Sequence, residues 1–235
     1  MPINIIYSDP GCVVINKPSG MPSHPLFSGG HFNSSNYGKL NALDEVCKLF
    51  PEISTISIDR AEKGLVHRLD TGTSGLLMFA RNVTSYKFLR NAFSKGTVKK
   101  TYVALVEGII SKPITIHYPI AHHQKNQSKM IAITEKNKYF RGKPRCAITS
   151  IFPIYISPIN NNWTFVRIAI HGGCRHQIRT HLSSIGHPIV GDVLYGARHT
   201  LEIDKFYLHA ESIHLPCNER KIINSLITWG KNENT

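Results

Sequence analysis

The period of hydrophobic and polar positions changes several times along the chain, and each change predicts an element. Residues 3–16, INIIYSDPGCVVIN, alternate loosely on either side of an Asp-Pro-Gly turn, the pattern of two short strands. In NKPSGMPSHP, residues 16–25, Pro18, Gly20, Pro22 and Pro25 permit neither a helix nor a central strand, so a rigid loop is expected. The Gly-, Ser- and Asn-rich run FSGGHFNSSNYG predicts a mobile segment, after which LNALDEVCKLF places Leu40, Leu43, Val46 and Phe50 at helical spacing. NVTSYKFLRNAF predicts a helix capped by Asn82 or Thr84, with Gly96 just past its end. In TYVALVEG the period is two, with Tyr102, Ala104 and Val106 on one face and Val103 and Leu105 on the other. A further strand, TFVRIAI, runs into a turn at Gly172 and Gly173. The predicted helix RHQIRTHLSSI follows, stopped by Gly186 and Pro188, and it sets Arg175 and Arg179 four apart on one face. Short strands around YLHAESIHLP complete the pattern. Strands outnumber helices and no βαβ alternation is visible, which predicts an α+β fold with a mixed, mostly antiparallel sheet.

Length and composition refine this picture. At 235 residues the chain can bury a core as one domain, with no internal repeat, and its longest apolar runs are too short to cross a bilayer. The opening residues lack a basic leader and an unbroken apolar stretch, so no signal peptide, no membrane partner and a cytoplasmic location are expected. Cys12, Cys47, Cys146, Cys174 and Cys217 are scattered and never form a CxxC pair, consistent with free thiols in a reducing compartment.

Charge points to a partner. There are 28 Lys and Arg against 15 Asp and Glu, an excess that suits a polyanion because neutralised phosphates release counterions. From His122 to Arg145, seven Lys or Arg accompany the single acid Glu135, which predicts a basic arm or hairpin. Signatures of dinucleotide, P-loop, zincin and hydrolase-elbow sites are missing. His171, His176 and His181 recur every five residues, a spacing that swings them around a helix, so no metal is expected.

The candidate chemistry centres on HRLDTGTSG, residues 67–75. Asp70 sits where an apolar strand meets a polar turn. A carboxylate before Thr-Gly-Thr commonly caps the turn through backbone amides; the alternative is a catalytic acid held ionised by a cation. Arg175 and Arg179 read either as a solvated basic edge or as a set with one guanidinium turned inward. Tyr102, after Lys99 and Lys100, reads either as an ordinary strand aromatic or as a platform for a base.

Five segments in order, NKPSGMPSHP, HRLDTGTSGLLMFAR, KKTYVALVEG, HQIRTHLSSIGHPIVGDVLYG and LHAESIHLP, resemble the RluA family of RNA pseudouridine synthases across nearly the whole chain. The resemblance implies a sheet flanked by helices and loops with a cleft across its middle. It also implies conversion of uridine to pseudouridine in structured RNA, transfer or ribosomal, with no metal or organic cofactor. By the same resemblance Asp70 is the essential carboxylate, Arg179 its ion-pair partner, Tyr102 the residue stacked on the target base, and Arg68 the side chain that fills the gap left by the everted nucleotide. Lys17, His67, Lys99, Lys100, Arg175 and His176 from the motifs, and Lys125, Lys129 and Lys143 from the basic arm, are the expected RNA contacts. Two departures stand out. Cys174 occupies the place of the family's usual Arg, with Arg175 displaced by one, and because the first motif begins within the opening twenty residues no preceding S4 module is expected. A monomer is the default expectation.

Overall fold

The computed structural model describes residues 3–25, 27–28, 31–32, 40–57, 62–158, 162–198, 206–216 and 222–225. In chain order the strands are β1 (Asn4–Ser8), β2 (Cys12–Lys17), β3 (Phe27–Ser28), β4 (His31–Phe32), β5 (Ser74–Ala80), β6 (Lys99–Glu107) and β7 (Ile114–Ile116). They continue with β8 (Ile120–His123), β9 (Met130–Ala132), β10 (Phe140–Arg145), β11 (Ile148–Ile156), β12 (Trp163–His171), β13 (Leu208–His214) and β14 (Ile222–Asn224). The α-helices are α1 (Ala42–Leu49), α2 (Val83–Ser94) and α3 (Gln177–Ser184). The class is α+β with a large, mostly antiparallel sheet, as the pattern predicts. The chain divides into two compact units, Met1–Val98 with His214–Ser225, and a second beginning at Lys99 and running to Ile213.

In the first unit β1, β2 and β5 pair antiparallel in that order. Val13, Val14, Ile15 and Leu76 to Ala80 are fully buried, so both inner strands are apolar on both faces. The β2–β5 register pairs Ile15 with Leu77 and ends by setting Lys17 opposite Gly75, at the edge of the HRLDTGTSG segment. Helix α2 begins at Asn82, whose side chain accepts the Ser85 N–H, and ends before Gly96 at φ +69°. Helix α1 starts later than its apolar spacing suggests. Asn41 caps it by accepting the Asp44 N–H, which buries Leu43 and Val46 but leaves Leu40 ahead of the helix and 46% exposed. Of the Gly- and Ser-rich segment only β3 and β4 lie among the described residues; its expected mobility, like Cys217, falls outside them.

In the second unit the strand order is β13-β6-β12-β11-β7. Residues 102–106 of β6 are all buried, so the predicted alternation is covered on both faces, as befits a strand with neighbours on each side. The basic stretch folds into a separate three-stranded sheet, β10-β8-β9, with Ile120, Ala121, Met130 and Ala132 buried and all of β10 exposed. Ile120, Met130 and Ala147 form a small cluster against which Cys174 packs, so the thiol fills an apolar gap at the base of the arm. Helix α3 is shorter than predicted. His176 adopts a left-handed conformation, φ +53°, which ends helical geometry there; Arg175 therefore precedes the helix and shares no helical face with Arg179. The helix is polar in sequence yet buried from Gln177 to Leu182, because Gln177, Arg179 and His181 find partners for their side chains. Gln177 donates to the Ile148 carbonyl and Thr149 Oγ1, and His181 sits between Thr149 Oγ1 and the Tyr118 carbonyl.

Candidate active site

Asp70 lies half-buried in the loop between Leu65 and β5. The loop turns tightly, with the Thr73 N–H donating to the Asp70 carbonyl at 3.0 Å. Residues on both sides of Asp70 are bonded to the NKPSGMPS loop. Ser23 Oγ donates to the Leu69 carbonyl at 2.7 Å and accepts the Leu69 N–H at 3.0 Å. Gly20 N–H donates to the Thr71 carbonyl at 2.9 Å, and Ser19 Oγ to the Gly72 carbonyl at 2.7 Å. Gly20 makes its turn at φ +83°, a conformation that favours glycine. Two loops that sequence reading treated as separate motifs thus form one clamp around the backbone of residue 70.

Lys17 is the pin of that clamp. Its ammonium is fully buried and donates to the carbonyls of Pro18, Met21 and Thr71 at 2.9, 2.7 and 3.2 Å. Burial pulls its pKa from 10.5 down to about 7, and the nearby Asp70 carboxylate works against that fall. The expectation that Lys17 meets RNA gives way to an interior role, because every one of these bonds is to backbone of its own chain. The clue in the sequence is a lysine closing an otherwise apolar strand, CVVINK.

The flanking HRLD residues are held differently. His67 Nε2 accepts the Met78 N–H at 3.1 Å, and its ring stacks on Phe93 with centroids 4.5 Å apart. Arg68 is exposed, and its Nη1 donates to His24 Nε2 at 2.9 Å. His24 Nδ1 donates to the Pro25 carbonyl at 2.7 Å, which fixes the tautomer that leaves Nε2 as acceptor. Burial, with the Arg68 charge adding to it, holds His24 below the usual imidazole pKa against the pull of the Pro25 bond. His24 and the two serines were missed as site residues; their signal was only that they share the proline-punctuated loop.

In the second unit Tyr102 lies in β6 at 7% exposure. Lys99 is exposed at the start of the strand, whereas Lys100 is half-buried and donates to the Gly172 carbonyl at 2.8 Å. Burial lowers Lys100 to about 8, with the Cys174 sulfur opposing in so far as it carries charge. A Cβ at Gly173 would stand 2.9 Å from that ammonium, so a larger residue there would displace the lysine head. Arg179 is buried at 7% exposure and grips Asp192 through two parallel bonds, Nε to Oδ2 at 2.7 Å and Nη2 to Oδ1 at 2.8 Å. Its guanidinium lies over the rings of Tyr195 and Phe206, 4.9 and 4.5 Å from their centroids. Tyr195 is itself buried, with its hydroxyl accepting the Met130 N–H at 2.9 Å and lying 2.9 Å from His176 Nδ1. Neither Asp192 nor Tyr195 was assigned a role from sequence, although both fall in the quoted segment GDVLYG.

Of the remaining expected RNA contacts, Lys125 and Lys143 are exposed on the three-stranded sheet and its loops, and Lys129 lies 5.4 Å over the Tyr195 ring. Arg175 is exposed and reaches back to the Gln127 and Ser128 carbonyls, each at 3.4 Å, so it borders the same basic arm. Among the described residues no group of three or more His, Cys, Asp or Glu gathers as a metal site.

The model of the RNA pseudouridylate synthase family matches residues 11–184. The chain belongs to that family, in its RluA-type branch. Family membership puts the clamped Asp70 loop, β6 and most of α3 inside the matched region, and leaves Asp192 and Tyr195 beyond it. A curated relative, the uncharacterized RNA pseudouridine synthase YlyB of Bacillus subtilis, is 33% identical over 211 residues, covering 89% of this chain and 63% of that protein. Ribosomal large subunit pseudouridine synthase D of Haemophilus influenzae is 33% identical over 198 residues, 84% of this chain and 54% of that one. The chain thus spans between half and two thirds of the length of these relatives. The solved structure of human RNA pseudouridylate synthase domain containing 1 superposes with a TM-score of 0.73 over 96% of this chain and 83% of that one, at 22% identity. Human RNA pseudouridylate synthase domain containing 4 gives 0.68 over 95% and 88%, also at 22% identity. Both share the fold.

Proposed function

We propose that this chain isomerises uridine to pseudouridine in structured RNA, transfer or ribosomal, with Asp70 as the catalytic carboxylate and no cofactor. The observation that carries this reading is the clamp: bonds at Leu69, Thr71 and Gly72 hold the backbone on both sides of Asp70, beside a buried ammonium. Such preorganisation is what a carboxylate needs if it is to meet a sugar carbon in a fixed direction. The reaction breaks the bond from N1 of uracil to C1′, turns the base while it is held, and joins C5 to the same C1′. The proton on C5 is lost and N1 gains one. Reaching C1′ inside a paired region requires the nucleotide to leave the stack, at a cost of a few kcal/mol, about what base stacking and a gap-filling side chain restore.

Tyr102 supplies the stacking partner in this reading, Arg68 fills the vacated stack from the pose His24 gives it, and Arg179 supplies the positive charge the reaction needs. Lys99, Lys100, Arg175, His176, Lys125, Lys129 and Lys143 contact the RNA backbone. The protein acts as a monomer in a reducing, cytoplasmic setting. The name of the Haemophilus relative favours ribosomal RNA as the first substrate to try.

The test is release of tritium from RNA labelled at C5 of uridine, with bulk transfer and ribosomal RNA as separate substrates. Turnover on one of them is expected; no release from either contradicts the reading, and free uracil in place of pseudouridine would identify a glycosidase. Charge reversal at Lys125, Lys129 and Lys143 together is expected to weaken RNA binding and to flatten its salt dependence, by about 0.7–0.9 in slope for each phosphate no longer neutralised. An unchanged slope would remove the arm from the RNA interface.

A further inference from the structure

Arg179 is held by groups that no motif reading gave a task. We propose that Asp192 and Tyr195 are positioning residues: Asp192 fixes the plane of the Arg179 guanidinium, and Tyr195 joins that guanidinium to the strand that carries the basic arm. The proposal rests on the role given above to Arg179 and adds the residues through which that role is set.

The geometry is over-determined in a way that simple charge neutralisation does not require. One carboxylate oxygen near a guanidinium would offset its charge. Here both oxygens of Asp192, itself 1% exposed, engage the Nε and Nη2 edge at 2.7 and 2.8 Å, which fixes the orientation of the guanidinium plane. The rings of Tyr195 and Phe206 lie 4.9 and 4.5 Å from the guanidinium carbon and limit its movement out of that plane. Side-chain rotation, the main freedom of an arginine, is removed before any substrate arrives.

Tyr195 also reaches beyond Arg179. Its hydroxyl accepts the N–H of Met130, the first residue of β9, and meets His176 Nδ1, while Ser183 Oγ donates to its carbonyl. Lys129, one residue before β9, lies over its ring at 5.4 Å. The aromatic ring therefore serves Arg179 and the hydroxyl serves the arm, so the two functions of one side chain can be separated by removing a single oxygen. The local sequence reason is the Gly196 turn at φ +92°, which ends the 3-10 turn Val193–Tyr195 and leaves Asp192 and Tyr195 on a short, rigid segment.

The experiment is steady-state tritium release and RNA affinity for Asp192→Asn, Tyr195→Phe and Asp70→Asn beside the unmodified protein, each variant first checked for a native melting transition. Asp192→Asn is expected to lower kcat by about 100-fold while KM stays within about threefold, because the cation is present but loosely aimed. Tyr195→Phe is expected to do the reverse, raising KM and Kd by about fivefold with kcat within about twofold, since the hydroxyl contacts to β9 and to His176 are removed while the ring over Arg179 stays. Should Asp192→Asn fail to fold, Asp192→Glu, which retains charge but lengthens the arm, is expected to show the same kcat-specific fall. A folded Asp192 variant with unaltered kcat, or a Tyr195→Phe variant with unaltered KM, overturns the proposal. Loss of turnover in Asp70→Asn together with either result defeats this inference alone; turnover retained in Asp70→Asn defeats the functional reading beneath it.

Discussion

The two charged groups at the centre of this account are held by opposite means. Asp70 owes its place to backbone: Ser19, Gly20, Ser23 and Lys17 bond the peptide groups around it. Arg179 owes its place to side chains, a buried carboxylate and two aromatic rings. A carboxylate has one short, stiff side chain, so fixing its backbone fixes the acid. An arginine has four rotatable bonds, so its head must be gripped directly. The first arrangement is written in small polar residues and prolines close to one another in sequence; the second needs residues that meet only after folding.

Substitutions sharpen this contrast, beginning with the largest expected loss. Arg179→Leu leaves the Asp192 carboxylate without its partner in the interior, and should lower unfolding free energy by about 3–5 kcal/mol in urea titration; a loss under about 1 kcal/mol would show that the pair is not a structural unit. Ser23→Ala removes both bonds to Leu69 and leaves a buried N–H and carbonyl unmet, for an expected loss of about 2 kcal/mol. A normal melt would mean the clamp is redundant. Lys17 gives the most specific effect, and per pH unit the smallest one. Its folded-state pKa, about 7, lies below the 10.5 of the unfolded chain. Between those values the unfolded chain keeps a proton that the folded protein has released, so stability from this group rises with pH across that window and its burial penalty is complete below pH 7. Plotted against pH from 7.5 to 9.5, the unfolding free energy of the unmodified protein should climb relative to Lys17→Met by up to about 1.4 kcal/mol per pH unit. Parallel curves would place the ammonium in water.

The same contrast explains what was legible in the sequence. The paired strands around Asp9, Pro10 and Gly11, the Asn82 cap, the strand at Tyr102 and the basic arm all follow from local period and turn chemistry. Local signals also misled. Apolar spacing drew Leu40 into a helix that the Asn41 cap begins after it, and helical spacing joined Arg175 to Arg179 across His176, whose left-handed backbone no propensity foretells. Lys17 was assigned to RNA because lysines in motifs usually meet phosphate, although its place at the end of a buried strand already argued for the interior. The Asp192 partner of Arg179 left no trace, since thirteen residues and a turn separate the two and bidentate pairing has no sequence period.

The central claim is that the clamped carboxylate at position 70 performs the isomerisation. Its most direct measurement is tritium release by Asp70→Asn beside the unmodified protein, on whichever RNA supports turnover, with RNA affinity taken in parallel. The account predicts turnover lowered by at least about 10³-fold with affinity within about threefold, because the amide keeps the shape and removes the charge. Turnover within about tenfold of the unmodified protein, at equal affinity, would contradict it.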